Sequence, residues 1–210
     1  MTLVEYLEFL NDPAVQLRIA TAGAPILYPR DTSRGGSYVP RGPTGEYQVP
    51  WYYDERTPVM SITYHDAVAF AEWRTERARA AGEAWVFTVP SREQLDASRL
   101  AHADRSWVAG ASFRPHWVKS LHAAPGTRME PVPRYPVDET PHGVFDLTGS
   151  QIEWTTSWHE ESTARRDLIG GSWAHSDPML FQSAHTTSSV ESQTFGSYGF
   201  RLVARPAVRD

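Results

Sequence analysis

The chain has no cysteine. That absence excludes disulfides, thiolate-held zinc and thiol nucleophiles together. Lysine is almost missing too, with one at position 119 against nineteen arginines. This bias points to a GC-rich genome rather than to a function. There is no surplus of positive charge: the formal net charge is -5 and the isoelectric point about 5.9. Nucleic acid therefore finds no electrostatic footprint. No apolar run approaches the ~18 residues of a membrane span, and MTLVEYLEFLND carries a charge every few positions. The expectation is a soluble cytoplasmic protein with no signal peptide and no membrane contact. The G-x-S-x-G elbow, the phosphate-binding loop and the dinucleotide glycine signature are also missing. GGSYVPRG is glycine-rich, but no helix carrying Lys-Ser/Thr follows it, so it reads as loop.

What is present suits a folded domain. The 210 residues are 40% hydrophobic and 12% aromatic, enough for a core of ordinary size. No internal repeat, low-complexity tract or linker divides them, so residues 1–210 read as one α+β domain. Leu3, Leu7 and Leu10, with Tyr6 between, predict a short amphipathic helix. Gly23 to Pro50 is rich in Pro and Gly and has no period, which implies a long loop or a loop-rich fold. Val59–Thr63 (VMSIT) reads as a strand. DAVAFAEWRTERARAAG follows as a helix with Val68, Ala71 and Ala78 inward and Gly82 at its end. WVFTVP reads as a second strand. Ser91 opens a third helix, with Gln94 completing an S-x-x-Q capping box. Tyr198–Ala204 (YGFRLVA) reads as the last strand.

Six stretches, in order, resemble blocks of the formylglycine-generating-enzyme, or sulfatase-modifying factor, family. EYLEFLN looks like its opening helix, and TPVMSITYHDAVAFAEW like P-V-x-x-V-S-W-x-D-A-x-x-F-x-x-W. TVPSREQLDAS looks like L-P-T-E-A-E-W-E-x-A. YPVDETPHGVFDLTGSQIEWT looks like P-V-x-x-x-x-P-N-x-x-G-L-Y-D-M-x-G-N-V-W-E-W-T. IGGSW and YGFRLVA look like R-G-G-S-W and the G-F-R ending. The blocks span nearly the whole chain. The resemblance implies a variant of the C-type-lectin fold: a small antiparallel sheet, two to three helices and much irregular loop. Family members usually begin with a strand before that helix, so the start of the chain almost on the helix suggests either a domain cut from a longer polypeptide or one that recruits the strand from a partner.

The departures from the family bear on function. The copper-dependent enzymes hold their metal with two cysteines shortly after G-G-S-W/Y. Here that stretch is AHSDPMLFQSAH, and Cu(I) selects soft thiolates that this chain lacks entirely. Formylglycine formation by that route is excluded and no copper is expected. The family's G-N-V-W-E-W turn can hold calcium, and the resemblance carries that role onto Thr148, Gly149, Gln151 and Glu153. Calcium takes six to eight hard oxygens, carbonyls included. The alternative is that Glu153 only accepts hydrogen bonds from the turn's amides. Either way it is structural, not a general acid. His159, His175 and His185 are candidates for a rebuilt iron or copper site, with His175 and Asp177 as an H-x-D pair, although none shows a tight ligand spacing. A non-haem metal-dependent oxidoreductase is the alternative function.

Ala174 to Ser197 contains no Lys, Arg, Asn or Trp, and Ser and Thr are abundant. His175, Phe181, His185, Phe195 and, just beyond, Tyr198 punctuate it. Adaptable hydroxyls with rigid aromatic anchors characterise recognition surfaces. His175, Ser176, Asp177, Phe181, His185, Phe195 and Tyr198 are therefore the expected ligand-binding residues, for an unidentified protein or small molecule. A variable-looking stretch between two fixed blocks also resembles the variable proteins of diversity-generating retroelements. DRSWVAGASFRPHWVKSLHAAPG resembles sensor domains attached to bacterial Ser/Thr kinases and NTPases, which makes a fused or partner kinase or NTPase domain the expected neighbour. A non-catalytic binding module displaying residues 174–198 is the function expected.

Overall fold

Short helices need good ends, and the first two helices have them. In α1 (Leu3–Leu10) the Thr2 hydroxyl accepts from the Glu5 amide while the Glu5 carboxylate accepts from the Thr2 amide at 2.8 Å. One face of α1 buries Leu3, Tyr6, Leu7, Phe9 and Leu10. Asp12 caps α2 (Pro13–Ala20), and Pro13 sits where a helix start tolerates proline. The hydrophobic pattern misses α2 because only Val15 of it is buried. Thr63 and Asp66 form a second capping box at α3 (Tyr64–Ala80), and Asp66 also binds Arg30 at 2.6 Å. Gly82 follows α3 at φ 77, as its sequence position implies.

The structure is a computed structural model describing residues 1–21, 27–30, 35–99, 106–108, 112–123 and 129–207. Parts of the Gly23–Pro50 loop (23–26 and 31–34) and of the sensor-like stretch (104–105, 109–111 and 124–126) lie outside these. The described parts of the loop form only isolated bridges, Arg30–Ser37 and Arg41–Tyr47.

The described residues hold two sheets. β1 (Trp85–Thr88) pairs antiparallel with β6 (Val203–Pro206). The larger sheet joins β2 (Ile152–Trp158), β3 (Arg165–Ile169), β4 (Thr186–Val190) and β5 (Tyr198–Gly199) in the order β4-β3-β2-β5. Its β2–β5 pair is parallel, so the sheet is mixed rather than wholly antiparallel. With α4 (Arg92–Arg99), opened by the Ser91–Gln94 box, the described helices number four rather than two to three.

Two strand expectations change. Val59–Thr63 forms no ladder, because Ser61 sits at φ 61, outside extended backbone. Its apolar residues serve the core instead, where Val59 and Ile62 are buried completely. Tyr198–Ala204 divides into β5 and β6, which join different sheets.

Trp154 stands at the centre. It is fully buried on β2, its indole N–H donates to the Ile62 carbonyl at 2.8 Å, and its ring meets those of Tyr64 and Tyr198. A layer of Tyr6, Phe9, Phe70, Trp73 and Phe200 joins α1 and α3 to the last turn of chain. Among the described residues no helix is long and apolar enough to cross a membrane.

Candidate functional site

The Thr148–Gly149–Ser150 turn is shaped by backbone approach. A Cβ on Gly149 would lie 2.5 Å from the Lys119 carbonyl oxygen, which itself accepts from the Ser150 amide at 3.0 Å. Asp138, fully buried, accepts from the Thr148 and Gly149 amides at 3.2 Å each. The turn's amides thus belong to Asp138, which corrects the assignment of that role to Glu153. Glu153 is gripped by Arg201 of the G-F-R block: Nε donates to Oε2 at 2.5 Å and Nη2 to Oε1 at 2.9 Å. The same Nη2 reaches the carbonyls of Phe145 and Asp146.

Beside this pair opens a cavity of about 250 Å³, lined by Asp146, Ser150, Gln151, Glu153 and Arg201 among others. Of the four residues expected to hold calcium, Gln151 and Glu153 line it and Thr148 and Gly149 do not. Asp146 was missed by the sequence reading. It sits at φ 57, and no hydrogen bond to its carboxylate is found among the described residues. Burial pushes it up to about 6 against the pull of Arg201, and burial pushes Asp138 up to about 7. Asp146 and Glu153 face two cations, Arg201 and the buried Met1 amine that lines the same cavity, so the formal charges there balance.

Raised carboxyls give a testable sign. Asp138 and Asp146 titrate higher folded than unfolded, so their contribution is fullest at low pH and is lost as pH rises through 6 to 7. Burial lowers His175 and His185, which weakens the fold below about pH 6.5. Burial also lowers the Met1 amine, which opposes the carboxyls as pH falls from 8. The carboxyl effect is therefore read by difference: the melting temperature of the wild type relative to Asp138→Asn should rise from pH 8 to pH 6.5. A difference that stays constant across that range would refute the assignment.

Arg99, at the end of α4, is buried beneath the same turn. Its guanidinium donates to the carbonyls of Leu147 and Ser183, its Nε has no acceptor, and burial lowers it to about 10. A charged residue inside an apolar block (F-D-L, G-F-R-L) was the sequence signal for Asp146 and Arg201. Arg99 gave none.

The 174–198 surface sorts into frame and face. Phe181 is buried, stacked on Phe113, with its ring filling the space a Cβ on Gly171 would need. Tyr198 is buried on β5 against Trp154. Both are core residues, which corrects their assignment as ligand anchors. Ser176, Asp177 and Phe195 are exposed; His175 and His185 are half-buried. Asp177 caps the 3-10 turn Pro178–Phe181 by accepting from the Met179 amide. The ring of Phe195 rests on Tyr198. His175 leaves a buried Nδ1 without a partner. His159 stands apart from that pair, bonded to buried Asp167 at 2.7 Å. Among the described residues no three His, Cys, Asp or Glu side chains converge on a common point.

Four helices and two small curled sheets among the described residues, with long irregular connections, define a mixed α+β fold of the C-type-lectin-like kind. A family model for the sulfatase-modifying factor enzyme 1-like domain matches residues 11–206, and the chain belongs to that family. Three solved structures share the fold. Treponema denticola variable protein 1 is 15% identical with a TM-score of 0.62, covering 75% of this chain and 74% of its own. PvdO from Pseudomonas aeruginosa is 18% identical with a TM-score of 0.61, covering 91% and 76%. CarF is 15% identical with a TM-score of 0.65, covering 99% and 84%. No match is found among curated proteins.

Proposed function

We propose that the chain is a non-catalytic member of its family, a binding module that presents residues 174–198 to a protein or small-molecule ligand. The observation that carries this is the division of that segment. Phe181 and Tyr198 point inward and fix the frame, while Ser176, Asp177, His185 and Phe195 stand on it facing outward or half outward. Such a face can change without disturbing the core beneath it. The likeness to a variable protein supports a diversified surface of the retroelement type, and a sensor domain serving a kinase or NTPase is the same chemistry in another setting. With no thiolate to hold copper, the family's two-cysteine reaction is outside this chain's means. An oxidoreductase built on His175 and His185 is the weaker reading, because no third ligand joins them among the described residues.

His185→Ala with Phe195→Ala tests the face. Both residues are at least partly exposed, so melting should stay within a few degrees. Binding energy concentrates in few anchors, so the double variant should lose a partner that the wild type retains and that rebinds as purified protein. Unchanged binding by the folded variant would move the face elsewhere.

Calcium belongs to the proposal as a structural ion in the smaller cavity, held by Asp146, Glu153 and the Ser150 and Gln151 backbone. Millimolar calcium should then raise the melting temperature by mass action, and Asp146→Asn should abolish the rise. Identical melting with calcium and with chelator would remove the ion.

A further inference from the structure

A second cavity, of about 440 Å³, opens between two 3-10 turns, Pro115–Trp117 and Pro136–Asp138. It shares no lining residue with the Asp146 cavity, and none of the 174–198 residues borders it. Its walls include His116, Trp117 and Tyr135; Glu130 and Arg134 supply its charge.

Glu130 is saturated. Its carboxylate meets the Lys119 ammonium at 3.3 Å, Arg134 Nε at 2.8 Å and the Tyr135 hydroxyl. Burial pushes Glu130 up, but these donors outweigh it and hold the carboxyl below its usual range. Lys119 is almost wholly buried behind Glu130, so its charge is fixed there rather than dispersed in water. Two cations, Lys119 and Arg134, therefore face one carboxylate and leave a positive charge over. Arg114, outside the lining, holds its guanidinium 5.3 Å from the Trp117 ring.

What lacks a partner is the outer edge of Arg134. Its Nε is the atom nearest Glu130, and no hydrogen bond from either Nη group is found among the described residues. A guanidinium edge of that kind matches two oxygens of a carboxylate or phosphate. The cavity is of a size that encloses small ligands, and Trp117 offers a flat apolar wall.

We propose that this cavity binds a small organic anion, a carboxylate or phosphate monoester with a planar body, gripped by Arg134 and laid against Trp117. The site is independent of the proposed binding face, so either can fail alone. The two turns that wall it contact each other, and the second of them carries Asp138, which caps the Thr148–Gly149 turn. The pocket is thereby preorganised on fixed backbone.

Titration calorimetry on the full chain with phenyl phosphate, benzoate and neutral benzyl alcohol tests the site. Both anions should bind and the alcohol should not, and added salt should weaken the anions. Arg134→Gln should lower anion affinity at least about tenfold without moving the melting temperature, since Arg134 is largely exposed. Trp117→Leu should weaken phenyl phosphate more than inorganic phosphate. Benzyl alcohol binding as tightly as benzoate, unchanged affinity in Arg134→Gln, or no binding of either anion at millimolar concentration would each overturn the proposal.

Discussion

Trp154→Ala is expected to cost ~3–5 kcal/mol, the range for removing a buried indole from a packed core. The residue is fully buried, touches Tyr64 and Tyr198 by ring edge, and ties β2 to the Val59–Thr63 segment through its bond to the Ile62 carbonyl. The substitution leaves a void and also strips that carbonyl of its donor. For a domain of this size such a loss lowers the melting temperature by roughly 6–20 °C. Thermal melting followed by circular dichroism reads it directly. A soluble variant melting with the wild type would show that the aromatic run is not core.

Arg201→Met should be of similar size for a different reason. Removing one partner of a mostly buried ion pair leaves the other charge unpaired, at a cost of about 3–5 kcal/mol. Here the stranded group is Glu153, with Asp146 beside it carrying the same sign, and the Phe145 and Asp146 carbonyls lose a donor as well. Glu153→Gln introduced into the same chain should restore part of the loss, because the orphan is then neutral. The cycle of single and double variants measures the coupling. Additive losses would mean that the pair contributes no mutual stabilisation.

These two residues show how far the sequence could be read. Trp154 lies in a dense aromatic run, and its burial was legible from the run alone. The Glu153–Arg201 bond joins positions 48 apart, so no local pattern reveals it, and Arg201 was read only as part of a scaffold block. β2 was invisible as a strand for a related reason. Its first four residues are all buried, which removes the alternation that marks a half-exposed strand. α2 failed in the opposite direction, since one buried residue makes no stripe. Tyr198 was taken for a surface anchor because it follows a Ser/Thr-rich stretch. Its parallel pairing with Ile152 turns it inward, and that pairing depends on a strand the sequence did not disclose. The helix caps at Ser91 and Gly82, being local chemistry, were legible throughout.

The burial of Lys119 has a practical side. It is the chain's only lysine, and its ammonium lies against Glu130 almost out of contact with water. Acylating reagents aimed at amines therefore find no side chain to attack while the domain stays folded. Side-chain acylation becomes a measure of opening: its rate at position 119, followed by mass spectrometry under increasing denaturant, reports how often the Pro115–Trp117 segment comes away from the turn it supports.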